Sequence, residues 1–257
     1  MCYPEPFTFP LITLDETDST SNHLARLCQE NEVAEYTTVI AAFQSAGKGQ
    51  RGNHWESAPG ENLLFSFVLR PTFLEARRQF LLSQITALAV KEELDTYADG
   101  IRIKWPNDIY WQDRKICGML LENDLEGNKI GCCIAGIGVN INQEAFHSDA
   151  PNPVSLMQIT GQRHSIPDIL TNILARVHAY YEQLRAEPDG EYPAKIAARY
   201  AAALYRNTGF HPYRDADGTF RARLAGVEPD GRFVLEDEAG RIRKYLFKEV
   251  QYVLNET

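Results

Sequence analysis

Apolar and polar residues alternate through "FTFPLITL", residues 7 to 14, and then yield to the polar run Asp18-Ser19-Thr20-Ser21-Asn22. The alternation predicts a strand, and the polar run offers several helix N-caps. Leu24, Leu27 and Cys28 then share one face of a helix through "NHLARLCQE". "TTVIAAF" (37–43) and "NLLFSFVLR" (62–70) predict buried strands, while "TFLEARRQFLLSQITALAVKEELDTYA" (72–98) has helical spacing. "GIRIKW" is a short strand stopped by Pro106. "DIYWQDRKICGMLLEND" predicts a hairpin turning near Gln112-Asp113, and "KIGCCIAGIGVNIN" (129–142) a long apolar strand. A short helix near "SLMQI" follows, then helices over "IPDILTNILARVHAYYEQLRAE" and "EYPAKIAARYAAAL".

From Tyr205 the texture changes to short alternating strands, with turns at Asp217-Gly218, Pro229-Asp230-Gly231 and Ala239-Gly240. This predicts a small β-barrel of about fifty residues and a boundary near 204. The expected fold is therefore α+β: a mixed β-sheet with packed helices over 1–204, and a β-barrel over 205–257.

Composition narrows the function. The 257 residues are 44% hydrophobic, enough for a sizeable core, and the net charge of −9 argues against an extended nucleic-acid surface. No run approaches the roughly eighteen apolar residues of a membrane span, and the first residues lack the pattern of a signal peptide, so the expected location is cytoplasmic. Five cysteines form no C-x-x-C pair and six histidines show no ligand spacing. Plain thiols are expected, with no histidine metal site.

Gly47-Lys48-Gly49-Gln50-Arg51-Gly52 matches G-x-G-x-x-G. A dinucleotide fingerprint opens a helix, whose N-terminus holds the pyrophosphate. Here "NHWESAPGENLLFSF" leads into a strand, so that reading fails. A Walker A loop fails too, because Gly49 follows Lys48, and no H-R-D or D-F-G supports a kinase. What remains is a plain turn or a local anion cradle, in which close glycines expose N–H groups, Lys48 and Arg51 add charge, and Trp55 offers a stacking face. A second constellation is "KWPNDIYWQDRKICGMLLE" (104–122), where a hairpin can bring Lys104 and Lys115 toward one end of the sheet, beside Asn107 and Asp108. Solvated strand-end charges are the plainer alternative.

Four blocks, "ETDSTSNHL", "QSAGKGQRGNHW", "KWPNDIYWQDRKICGMLLE" and "GIGVNIN", with a C-terminal "FKEVQYV", resemble the biotin protein ligase family over nearly the whole chain. The resemblance implies a class II synthetase-like catalytic domain with an SH3-like barrel. It also implies an ATP-dependent ligase that forms biotinyl-5'-AMP, releases pyrophosphate, and passes biotin to one lysine of a biotin carboxyl carrier protein. Lys115 is then the central catalytic lysine, assisted by Arg51, and also contacts biotin. Lys48, Gly49, Gln50 and Arg51 form a loop over biotin and phosphate, and Ser19, Thr20, Ser21 and Gln44 match the biotin site. ATP falls to Gly47, Arg51, Trp55, Asn107 and Asn140, with Trp55 and Asn140 at adenine. Asp108 orients the acceptor lysine and Lys104 helps hold the acyl phosphate; a turn-forming Asp108 is the alternative.

Magnesium accompanies the triphosphate. No nucleic-acid or membrane partner is expected, and a homodimer is left open. The S-T motif begins at residue 19, leaving no room for a DNA-binding winged helix. A catalytically silent biotin-binding protein and a lipoate or octanoyl transferase are the competing readings. Three positions depart from the family's pattern: Gln50 where arginine is usual, Ser21 where asparagine is usual, and Lys248 where glycine commonly precedes Glu-Val.

Overall fold

The computed structural model describes residues 7–49, 55–147 and 152–254. The first alternating stretch forms β1 (Leu11–Thr17), whose side chains are exposed or half-buried as suits a sheet edge. α1 (Thr20–Glu30) starts from Ser19. It buries Leu24 with Val39, Val68, Cys132 and Ile134, and Leu27 and Cys28 pack against that cluster, so the predicted face is the buried one.

β2 (Thr38–Gln44) leads through the glycine loop to β3 (Leu63–Leu69), which is buried at every position. Leu63, Phe65, Phe67 and Leu69 enter the main core while Val68 enters the α1 cluster, so both faces are covered. A strand covered on both faces reads as a continuous apolar run. The long helical run is shorter than its pattern: α2 spans Phe80–Leu94, preceded by a 3-10 turn at Ala76–Arg78. Upstream, Leu74 N–H closes a turn onto the Pro71 carbonyl. Downstream, Thr96 and Tyr97 donate to carbonyls three residues back, which tightens and ends the helix.

β4 (Ile101–Lys104), β5 (Asp108–Trp111), β6 (Arg114–Glu126) and β7 (Lys129–Val139) follow. The hairpin between β5 and β6 turns where predicted, with Gln112 at φ 51°. The seven strands form one sheet in the order β1-β2-β3-β7-β6-β5-β4. β1 pairs β2 in parallel, and the remaining neighbours are antiparallel. α3 (Leu156–Thr160), α4 (Ile166–Ala186) and α5 (Tyr192–Ala202) come next, α4 and α5 packing with α2 over one face of the sheet. On β7, Cys133, Ala135, Ile137 and Val139 point into that core. The alternate positions Gly136 and Gly138 therefore face the opposite side, which α1 covers in part.

β8 (His211–Asp215), β9 (Gly218–Val227), β10 (Phe233–Asp237), β11 (Ile242–Tyr245) and β12 (Gln251–Tyr252) build the SH3-like barrel, an antiparallel sheet ordered β11-β10-β9-β8-β12. Its turns fall at the three predicted glycine sites. Trp105, at the end of β4, docks it: the indole stacks on Phe233 at 4.9 Å and Nε1 donates to the Gly231 carbonyl at 2.9 Å. Cys28, Cys117, Cys132 and Cys133 are free thiols. Among the described residues no helix is long and apolar enough to cross a membrane.

Candidate active site

The uncovered part of the α1 face is a cavity running from the N-terminus of α1, across Gly136 and Gly138, to Asp108 and Lys115. Its closed end is polar, neutral and buried. Thr20 N–H donates to Gln44 Oε1 at 2.7 Å, and the Thr20 hydroxyl lies 3.1 Å from the same oxygen. Ser66, on β3, lies 2.7 Å from the Thr20 hydroxyl and 2.9 Å from that of Ser21. Ser19 is the N-cap residue of α1 but makes no side-chain cap. Gly136 has to be glycine for this cluster to close, since a Cβ there would lie 2.3 Å from Ser21 Oγ.

At the open end, Lys115 Nζ lies 2.8 Å from Asp108 Oδ1, both side chains half-exposed. β-pairing produces this contact: Asp108 sits opposite Gly118, and a side chain at 118 would crowd the lysine, a Cβ lying 3.2 Å from its Nζ. Asp108 is held by its neighbours. Trp105 is fixed by the barrel, the Pro106 carbonyl accepts from Tyr200 of α5 at 2.6 Å, and Asn107 donates to the Met119 carbonyl of β6. "KWPND" thus positions Asp108 through contacts to three separate elements. Phe247 brings the barrel to the cavity wall.

Trp55 lies between the two ends. Its indole rests on the glycines of β6 and β7: a Cβ at 138 would meet Trp55 Cε2 at 2.5 Å, and one at 118 would meet Cζ3 at 3.0 Å. Its Nε1 is buried without a partner, and Lys115 Nζ stands 5.7 Å from the ring centroid. The remaining cavity is about 130 Å³, below the roughly 300–1,000 Å³ of pockets for drug-sized ligands. The indole occupies space that a planar ligand could take.

The predicted residues separate accordingly. Ser19, Thr20, Ser21, Gln44, Lys48, Gly49, Trp55, Asn107, Asp108 and Lys115 all line the cavity. Lys48 also pairs with Glu122 at 3.8 Å, an exposed contact of little energetic weight. Gly47 packs under the loop, where a Cβ would lie 3.0 Å from the Trp55 carbonyl and 3.2 Å from Gln44 Nε2. Gln50 and Arg51 lie outside the described residues.

Two predicted residues stand behind the wall. Lys104 Nζ donates to Tyr110 Oη at 2.9 Å and lies 5.2 Å from the Tyr252 ring; burial pushes its pKa below the ordinary lysine value, with Asp108 acting in the opposite direction. Asn140 donates to the Val154 carbonyl at 3.2 Å, and its Oδ1 is buried without a partner. Ser66 and Phe247 were not found from the sequence. Ser66 is a lone polar residue in an apolar run, and that interruption was its signal. Phe247 had none, because its position depends on how the barrel docks.

The profile of the Biotin/lipoate A/B protein ligase family matches residues 14–140, which contain every cavity-lining residue except Phe247. The biotin--[acetyl-CoA-carboxylase] ligase of Paracoccus denitrificans is 30% identical over 240 residues, covering 89% of this chain and 95% of that protein. The chain belongs to the biotin protein ligase family. Biotin protein ligase relatives also include the bifunctional ligase/repressor BirA of Bacillus subtilis (strain 168), 30% identical over 246 residues, with 93% of this chain and 71% of that protein aligned. The biotin protein ligase from Aquifex aeolicus in complex with biotin and ATP has a similar structure, with a TM-score of 0.76 at 27% identity over 95% of this chain and 99% of that one. The protein is thus an enzyme, a biotin ligase.

Proposed function

We propose that this ligase activates biotin with ATP and transfers it to a specific lysine of a biotin carboxyl carrier protein. The observation that carries the proposal is the cavity's polarity, with neutral hydroxyls and an amide at one end and the Lys115–Asp108 pair at the other. Biotin has the same polarity, a neutral ureido ring at one end and a carboxylate at the other. In the first step a carboxylate oxygen attacks the α-phosphorus of ATP, the bond to the β-phosphate breaks, and pyrophosphate leaves. Two anions must come together, so fixed positive charge stabilises the transition state. Lys115 supplies it, Lys48 and Arg51 of the glycine loop adding theirs, while Gly47, Gly49 and Gln50 close over the ligand. Ser19, Thr20, Ser21 and Gln44 hold the ureido ring.

Trp55 moves off its glycine floor and stacks on adenine. The unpartnered Asn140 Oδ1 accepts from the adenine amino group, and Asn107 borders the nucleotide. Magnesium enters with the triphosphate, held mostly by phosphate oxygens and water.

In the second step the lysine nitrogen attacks the acyl carbon, the bond to phosphate breaks, AMP leaves, and the amine gives up a proton. An ordinary lysine is neutral in only about one copy in a thousand near pH 7.4. Asp108 orients it and draws off the proton. While Lys115 pairs with Asp108 the carboxylate is engaged. Arrival of the α-phosphate and carboxylate gives Lys115 new anionic partners and releases Asp108 for the amine. Lys104 acts from behind, through Tyr110, and helps keep the acyl-phosphate end of the site in place. The same reading divides the chain into a catalytic domain, 1–204, and a barrel, 205–257, in a cytoplasmic enzyme.

The test is incubation with ATP, magnesium and either biotin or lipoate, following pyrophosphate release and transfer to a carrier lysine. Biotin-dependent release is expected, and its absence overturns the proposal. Asp108→Asn should spare adenylation and impair transfer; equal loss of both steps removes Asp108 from the acceptor role.

A further inference from the structure

The polar groups at the closed end form a single line, and their donors and acceptors can be counted. Thr20 N–H donates to Gln44 Oε1 at 2.7 Å, which fixes the amide oxygen, not its nitrogen, toward α1. An amide oxygen only accepts. The Thr20 hydroxyl, 3.1 Å from that oxygen, therefore commits its one proton there. With that proton spent, Thr20 Oγ1 must accept in its 2.7 Å contact with Ser66, so Ser66 donates. Ser66 has then spent its own proton, and in the 2.9 Å contact with Ser21 it must accept. The order is Ser21 to Ser66 to Thr20 to Gln44, and no member can reverse without breaking a bond.

Burial keeps solvent from relaxing this order. Ser66 is 0% exposed, Thr20 3% and Ser21 5%, so a misdirected hydroxyl has no bulk water to bond and its cost is high. Gly136 seats the line from below: a Cβ there would lie 2.3 Å from Ser21 Oγ and 3.4 Å from Ser66 Oγ. Ser21 is the donor end of the line and, like Thr20 and Gln44, it lines the cavity; in this order its proton is turned inward, toward Ser66. It presents lone pairs to whatever binds.

We infer that Ser66, which does not line the cavity, is a positioning residue that fixes Ser21 as a hydrogen-bond acceptor and so makes the site select a ligand offering an N–H there. The inference rests on the biotin reading, in which that N–H is one of the two on the ureido ring. It also gives the departure at residue 21 a consequence. The asparagine usual at this position can turn its amide to present either a donor or an acceptor, whereas a serine wired through Ser66 presents an acceptor alone.

The experiment measures binding of biotin to the full chain by calorimetry, without ATP, beside two cyclic carbamate analogues. Each analogue replaces one ureido N–H with oxygen. In the parent protein one carbamate sets an oxygen against the Ser21 lone pairs and should bind about tenfold or more weakly than biotin. Ser66→Ala frees the Ser21 proton to turn outward, and the same carbamate should then bind within about threefold of biotin. Thr20→Val is the second variant: it removes the acceptor for Ser66, whose proton then passes to Ser21, and the same loss of discrimination is expected. A merely structural Ser66 would weaken biotin and both carbamates by one common factor, leaving the ratio unchanged. That result overturns the inference, as does a parent protein that tells neither carbamate from biotin. If biotin itself does not bind, the biotin reading falls and the inference with it; an unchanged ratio with biotin still bound condemns the inference alone.

Discussion

The two ends of the cavity are built on opposite principles. The closed end holds four neutral side chains linked to one another between α1, β2 and β3, with Thr20, Ser21 and Ser66 buried and Gln44 half-buried. The open end holds a half-exposed ion pair whose surroundings come from β5, β6, α5 and the barrel. A neutral, interlinked cluster has little reason to rearrange, and it suits recognition of a ligand that must sit in one register. An ion pair near solvent exchanges partners at low cost, and it suits chemistry in which charge arrives, moves and leaves. On the proposed reading, substitutions at the two ends should separate selectivity from reactivity.

The largest expected effect is at the reactive end. Lys115→Ala should slow biotin-dependent pyrophosphate release by about a thousandfold, while biotin affinity measured without ATP changes by less than about tenfold. Equal loss of both would merge the two ends into one. Gly136→Ala should do the reverse, because its Cβ would strike Ser21 Oγ. Strain of roughly 1–3 kcal/mol should appear in biotin affinity, with the rate at saturating biotin much less affected; a lower rate at unchanged affinity would break the comparison.

A smaller effect tests the barrel's share of the open end. Lys248 adopts φ 74°, a left-handed conformation that costs a side-chain-bearing residue and suits glycine. Lys248→Gly should raise stability by about 1 kcal/mol, read from the urea midpoint. The smallest effect concerns Lys104. Its folded-state pKa is lowered by burial, so between that value and the ordinary lysine value of 10.5 the unfolded chain binds more protons. Stability should rise with pH through that window, and Lys104→Met should flatten the rise. A rise of the same size in the variant would show that another group causes it.

The sheet was legible because its strands carry long apolar runs bounded by glycine, proline and polar turns. The helix over 72–98 was overextended. Its apolar spacing continues into residues that the backbone spends on turns at Pro71 and Thr96, and periodicity carries no mark of that change. Most of the site was legible because its residues cluster in short segments that also resemble a known family. Lys104 was given a hold on the acyl phosphate through the family resemblance; what the sequence did not carry is that its ammonium lies against Tyr110 and the barrel's Tyr252, a contact that depends on how the barrel docks. Ser66 was missed for a different reason: its importance lies in which way it sends one proton, and that depends on three partners distant in sequence.

Lys248 also bears on how glycine motifs are read. Where the resembling motif commonly carries glycine before Glu-Val, Lys248 takes up a positive φ, the conformation that glycine adopts most easily. Glu249 helps explain this, since its carboxylate accepts from Leu246 N–H at 2.6 Å and closes the turn from the other side.

Trp105, Pro106, Asn107 and Asp108 are consecutive, yet each owes its place to a different part of the chain: the barrel, α5, β6 and Lys115. The barrel contributes Gly231 and Phe233, more than a hundred residues downstream. The carboxylate of Asp108 is therefore seated in part by residues more than a hundred positions further along the chain, so that one side chain in a five-residue motif reports on whether a distant sheet has docked.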